Sequence, residues 1–82
     1  MKSLFNKTNI LITGGGGYLG SKLAEKLVNY NVDIFLLDIN FNTLSKQLCD
    51  KYKNVHIYEC DITDKEQLSN TCNDIKPLII YH

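Results

Sequence analysis

Apolar positions along this chain alternate between short unbroken runs and helically spaced stripes. Ile10-Leu11-Ile12 is an unbroken run that ends at Thr13 and meets four glycines, so it predicts a buried strand stopped by a permissive turn. From Tyr18 to Tyr30, Leu19, Leu23, Ala24, Leu27 and Val28 recur at helical spacing with Lys22, Glu25 and Lys26 opposite, which predicts an amphipathic helix. Val32 to Leu37, closed by Asp38, reads as a second strand. Phe41, Leu44, Leu48 and Tyr52 mark a second helix, with Asn42 or Asn40 available as its cap. Val55 to Tyr58 is a third strand, and Leu68, Cys72 and Ile75 carry a third helix up to Pro77, its start marked by Thr63 and the acids Asp64 and Glu66. Leu78 to Tyr81 opens a fourth strand.

Strand and helix therefore alternate in the order β-α-β-α-β-α-β, which predicts an α/β fold with right-handed crossovers and a parallel sheet. No repeat, linker or low-complexity tract interrupts it, so residues 1–82 read as part of a single domain. A chain of this size buries only about 60% of the surface its unfolded form exposes, which is little for an independent enzyme. The fourth strand has no following helix to cover it, although parallel strands are covered on both faces. The expectation is an N-terminal portion truncated after the fourth strand.

Charge narrows the partners. Nine basic and nine acidic residues cancel, so no global field draws the chain to nucleic acid or to an anionic membrane. Every basic residue is lysine; without the arginine fork, a bound phosphate must be held mainly by backbone. No run approaches the roughly 20 apolar residues of a membrane span and Met1 to Ile12 lacks a signal-peptide centre, so the expected location is the cytoplasm. Cys49, Cys60 and Cys72 are too widely spaced for a metal or redox pair and read as inert packing thiols; no metal site is expected.

The chemistry concentrates at Thr13 to Gly20. Two glycine patterns overlap there, GxxGxxG at Gly14, Gly17 and Gly20 and GxGxxG at Gly15, Gly17 and Gly20. A pyrophosphate-binding turn needs a tight bend, then a residue without Cβ where the phosphates approach, then a small residue where helix meets strand. Gly14, Gly17 and Gly20 can fill these roles in turn, and the amides of Tyr18 and Leu19 lie in the helix opening that would face the anion. A glycine cluster alone can also be a flexible loop; the test is an acid about 20 residues on, at the end of the next strand. Asp38 meets it, either as acceptor for the adenosine ribose hydroxyls or as a plain cap or loop acid. As ribose ligand it would repel a 2′-phosphate, favouring NAD over NADP.

These residues resemble the short-chain dehydrogenase/reductase superfamily, and Thr13-Gly14-x-x-Gly17-x-x-Gly20 is similar to its extended branch of NAD-dependent epimerases and dehydratases. The classical branch, TGxxxGxG, would require glycine where this chain has Tyr18. Asp61-Ile62-Thr63-Asp64 resembles the family's adenine-binding turn, which implies an Asp61 carboxylate and an Ile62 amide on the adenine edge, alongside or instead of helix capping. Ile79-Ile80-Tyr81-His82 is similar to the extended branch's fourth strand, and His82 is equally readable as an ordinary strand-end residue. Tyr18-x-x-x-Lys22 copies the spacing of the family's catalytic pair but lies in the phosphate turn, so no catalytic residue is assigned. His56 reads as structural.

The resemblance implies a Rossmann-type sheet and the cofactor-binding part of an enzyme whose intact product acts on a nucleotide sugar, or on a small alcohol or ketone, through hydride transfer to NAD. The alternatives are a classical-type short-chain dehydrogenase, or a module or remnant that binds NAD without catalysis.

Overall fold

The structure, a computed structural model, describes residues 8–77 and 79–81. Its elements follow the predicted order: β1 (Thr8–Thr13), α1 (Tyr18–Leu27), β2 (Val32–Asp38), α2 (Thr43–Lys51), β3 (Val55–Glu59), α3 (Lys65–Ile75) and β4 (Ile79–Tyr81). Leu78 and His82, with the readings placed on them, lie outside the described residues.

All strand pairs are parallel and the sheet order is β3-β2-β1-β4. After β3 the chain must therefore cross back over β2 and β1 to place β4 on the far side. Such a reversal leaves a crevice at the carboxyl ends of the strands, where ligands bind in open α/β sheets. In-register pairs such as Ile12 with Leu36 and Leu37 with Tyr58 bring the ends of β1, β2 and β3 level, so Thr13, Asp38 and Glu59 finish at one edge.

Both faces of the central strands are covered, which explains why β1 and β2 read as unbroken apolar runs. Ile10, Ile12, Ile34 and Leu36 meet Ala24 and Val28 of α1 and Leu48 of α2 on one face. On the other, Leu11 and Leu37 meet Cys60 and Ile75, with Leu68 and Cys72 of α3 alongside. Burying each of these larger aliphatic side chains contributes roughly 1.5–3 kcal/mol.

Three readings of the sequence change. The first helix ends at Leu27 with Val28 as its C-cap, short of Tyr30. Leu19 does not join the apolar face: it is 81% exposed, while Ser21, Ala24 and Val28 are buried. At about 100° per residue Leu19 stands some 200° from Ser21, and the helix approaches the sheet through small side chains that permit close contact. Tyr52 is the extended C-cap of α2 rather than a helical residue. Between the two candidate caps the structure selects Asn42, whose Oδ1 accepts the Ser45 amide at 2.8 Å.

Candidate functional site

The turn from β1 into α1 is built by its glycines in unequal ways. Gly14 has φ +68°, in the left-handed region that favours glycine, and opens the bend. A Cβ on Gly20 would lie 2.5 Å from the Gly14 carbonyl oxygen, so the first turn of α1 can close on the Gly14–Gly15 backbone only if residue 20 is glycine. Gly17 is different. A Cβ there would meet only the Gly14 oxygen, at an ordinary 3.5 Å, so the fold itself does not demand glycine at this position. Gly15, the first glycine of the GxGxxG pattern, and Gly16, which belongs to neither pattern, are crowded: a Cβ would collide with Leu36 in the first case and with the Asn40 carbonyl in the second.

Gly17 is the N-cap of α1, and no side chain caps that helix. The other two helices are capped by Asn42 and Asp64, whose side chains accept the amides of Ser45 and Gln67. The first amides of α1, on Tyr18 and Leu19, are thus offered outward at the positive end of the helix. Tyr18 is largely exposed, and its ring lies 5.9 Å beneath the Lys22 ammonium. That ammonium covers the ring face and also pairs with Glu25 at 3.4 Å, which is a surface contact and not a proton-transfer pair.

Asp38 ends β2 beside this turn. Its Oδ2 accepts the Gly16 amide at 3.1 Å, and its Oδ1 accepts the Ile39 amide at 2.7 Å. The Asn40 amide also approaches Oδ1, at 3.5 Å, so of the about four lone-pair positions an ionised carboxylate offers, about one remains for a ligand hydroxyl.

Beyond β3, Asp61 folds back on Thr63, accepting its hydroxyl at 2.6 Å and its amide at 2.9 Å. These two donors hold the Asp61 carboxyl below its ordinary value, the hydroxyl contributing most. The helix cap is Asp64, not Asp61, while Gln67 reaches back to the Asp61 amide at 2.7 Å. Asp61 is therefore free of capping duty.

These segments meet in a cleft of about 190 Å³ lined by Gly14 from the first turn, Asp38 and Ile39 from the second, and Asp61, Ile62 and Thr63 from the third. Four sequence-predicted residues, Gly14, Asp38, Asp61 and Ile62, thus share one wall. Gly17, Tyr18, Leu19 and Gly20 lie outside that lining, at the α1 entrance joined to it through the bond between Gly16 and Asp38. Cys60 closes the floor, buried within the α3-side core as a free thiol. His56 lies away from the cleft, stacked on Phe35 and 3.3 Å from Asp33.

Sequence patterns gave no sign of a second group behind the turn. Ser21 and Ser45 are fully buried, and Asn42 bridges them, its Nδ2 donating to Ser21 Oγ at 3.2 Å and its Oδ1 lying 2.7 Å from Ser45 Oγ. Serine and asparagine at helix starts ordinarily signify solvent-facing caps, so only the close approach of α2 to the glycine turn reveals the network.

Comparison with known proteins agrees with this architecture. Residues 11–82 match the 3-beta hydroxysteroid dehydrogenase/isomerase family. A UDP-glucose 4-epimerase from Mycoplasma pneumoniae is 33% identical over 78 residues, covering 93% of this chain and 22% of that protein. The Bordetella bronchiseptica enzyme WbmG, solved in complex with NAD, superposes with a TM-score of 0.75 at 29% identity over 92% of this chain and 24% of its own. The Thermotoga maritima UDP-glucose 4-epimerase, solved with UDP-glucose, gives 0.73 at 26% identity over 92% and 23% of the two chains. This chain spans 22% to 24% of the length of these three proteins. The glycine turn, the sheet order and the family match lead to one assignment: the chain belongs to the 3-beta hydroxysteroid dehydrogenase/isomerase family, within the short-chain dehydrogenase/reductase superfamily.

Proposed function

We propose that this chain is the NAD-binding portion of an NAD-dependent epimerase, dehydratase or related oxidoreductase, and that the intact product acts on a nucleotide sugar. The observation that carries the reading is the convergence of an uncapped helix N-terminus, the Asp38 carboxylate and the Asp61-Ile62 turn at the carboxyl ends of three adjacent parallel strands.

The residues fit the cofactor. The space a Gly17 side chain would occupy lies open before the α1 amides, and a pyrophosphate needs such space because its charge is held here by backbone alone. Gly14 sets the bend, Gly20 lets the helix close on the turn, and the Tyr18 and Leu19 amides donate to the phosphates. Asp38 accepts from a ribose hydroxyl and repels a 2′-phosphate, so NAD is preferred to NADP. Asp61 accepts from the adenine amino group, the Ile62 amide donates to the ring, and the half-exposed Ile39 and Ile62 side chains shield its faces from water. NAD, when bound, supplies hydride transfer. The nucleotide-sugar substrate rests on the relatives: WbmG was also solved with NAD and UDP together, and the Thermotoga epimerase with UDP-glucose. We place the protein in the cytoplasm; among the described residues no helix is long and apolar enough to cross a membrane, and all three cysteines are free thiols.

Calorimetric titration of the purified chain tests the reading. Saturable one-to-one binding of NAD, tighter than that of NADP, is expected. A folded chain that takes up neither dinucleotide overturns it.

A further inference from the structure

Four consecutive glycines are the segment of this chain least able to hold its own peptide planes, because both φ senses are open to each of them. Yet every carbonyl in the run has a partner. Gly14 O accepts the Gly17 amide at 3.1 Å, and Gly17 O accepts the Ser21 amide and hydroxyl at 3.0 and 2.7 Å. The two between are held from outside the turn, Gly15 O by Ser45 Oγ at 2.9 Å and Gly16 O by the Asn42 amide at 2.9 Å. In a trans peptide the carbonyl of one residue and the amide of the next point in opposite directions. Drawing Gly15 O back onto α2 therefore turns the Gly16 amide forward, where it meets Asp38 Oδ2 at 3.1 Å. A flip of that one peptide would present a carbonyl oxygen to the Asp38 carboxylate and to any neighbouring phosphate.

We propose that Ser45 and Asn42 are positioning residues that lock the peptide planes of the glycine turn for a pyrophosphate-bearing nucleotide, though neither lines the cleft. Ser45 supplies the hydroxyl that fixes the plane between Gly15 and Gly16. The single proton of that hydroxyl has two acceptors in reach, Gly15 O at 2.9 Å and Asn42 Oδ1 at 2.7 Å, and Asn42 ties Ser21, hence the first turn of α1, to the same cluster through Nδ2. No buried side-chain nitrogen or oxygen among the described residues lacks a partner, so the cluster is a closed network, rigid in the manner such networks confer. The proposal rests on the NAD-binding reading and adds to it where the turn gets its rigidity.

The test compares NAD, ADP and adenosine titrated into ¹⁵N-labelled wild-type chain and into Ser45→Ala, with amide hydrogen exchange recorded in both. Loss of the lock should weaken NAD and ADP by about tenfold and leave adenosine, which has no phosphate, within about twofold. Exchange protection of the Gly16 amide should fall while that of Ile34 and Leu36 in the sheet is retained. Should Ser45→Ala fail to fold, Asn42→Asp serves: it keeps the acceptor that caps α2, but removes the donor to Ser21 and draws the Ser45 proton away from Gly15. Equal weakening of all three ligands, or unchanged NAD affinity in a variant whose Gly16 amide has lost protection, overturns the positioning role alone. A folded wild-type chain that binds neither NAD nor ADP overturns the cofactor reading and this proposal with it.

Discussion

The Gly16 amide and the Asp38 carboxylate, 22 residues apart in the chain, are joined by a hydrogen bond of 3.1 Å. The bond couples the two halves of the proposed site, since the acid assigned to the ribose also secures the turn assigned to the phosphates. Removing Asp38 should therefore have two separable effects.

Asp38→Ala discards both the charge and the acceptor for Gly16, whereas Asp38→Asn discards the charge and keeps an oxygen. Both variants should relax the preference for NAD over NADP by about tenfold, because repulsion of the 2′-phosphate is gone. NAD affinity itself should fall further in the alanine variant. Paired calorimetric titrations read both quantities, and an unchanged NAD to NADP ratio would contradict the ribose assignment.

Gly17 and Gly20 should respond in opposite ways to a side chain. Gly20→Ala forces a Cβ to 2.5 Å from the Gly14 carbonyl. Overpacking of this kind costs about 1–3 kcal/mol, which lowers the melting temperature of a domain this small by on the order of 10 °C. Gly17→Ser has room, and its hydroxyl can cap the α1 amides that no side chain now satisfies. Its melting temperature should hold or rise slightly while NAD affinity drops, since the same hydroxyl occupies the phosphate approach. Thermal melts with and without NAD distinguish the two; a destabilised Gly17→Ser chain would count against the geometry.

How much of this was legible in the sequence depends on which interactions set each feature. Element order and the parallel sheet follow from local pattern, and Asp38 follows from its distance to the glycines, so these emerge from the residues alone. Leu19 misleads because helical spacing records apolar residues and not Gly20 and Ser21, the small residues through which the start of α1 packs on the glycine turn and Asn42. The buried cluster of Ser21, Asn42 and Ser45 escapes for the complementary reason: its polar atoms are satisfied by a turn some 30 residues away, as in the Ser45 contact with Gly15. A cap at Asp64 instead of Asp61 hinges on which residue leaves helical geometry, and the run Asp61-Ile62-Thr63-Asp64 offers both acids.

Asp61 makes a pH-dependent prediction. Its carboxyl lies below the ordinary value of 3.8 because the Thr63 hydroxyl and amide donate to the ionised form. A lowered folded-state value contributes stability that is present above the ordinary value and is lost as pH falls through the lowered one. Thr63→Val removes the hydroxyl, so the Asp61 carboxyl should titrate closer to 3.8 in a carboxyl-carbon NMR titration. The stability difference between the two chains should be present at neutral pH and vanish in acid. An unmoved titration would remove the hydroxyl as its cause.

The most direct test of the account is an amide map of NAD binding on the ¹⁵N-labelled chain. The account predicts saturable shifts concentrated at Gly16 to Gly20, at Asp38 to Asn40 and at Asp61 to Thr63, all three segments titrating with one dissociation constant. Shifts centred elsewhere, such as the Phe35 and His56 face of the sheet, or none at all in a folded chain, would contradict it.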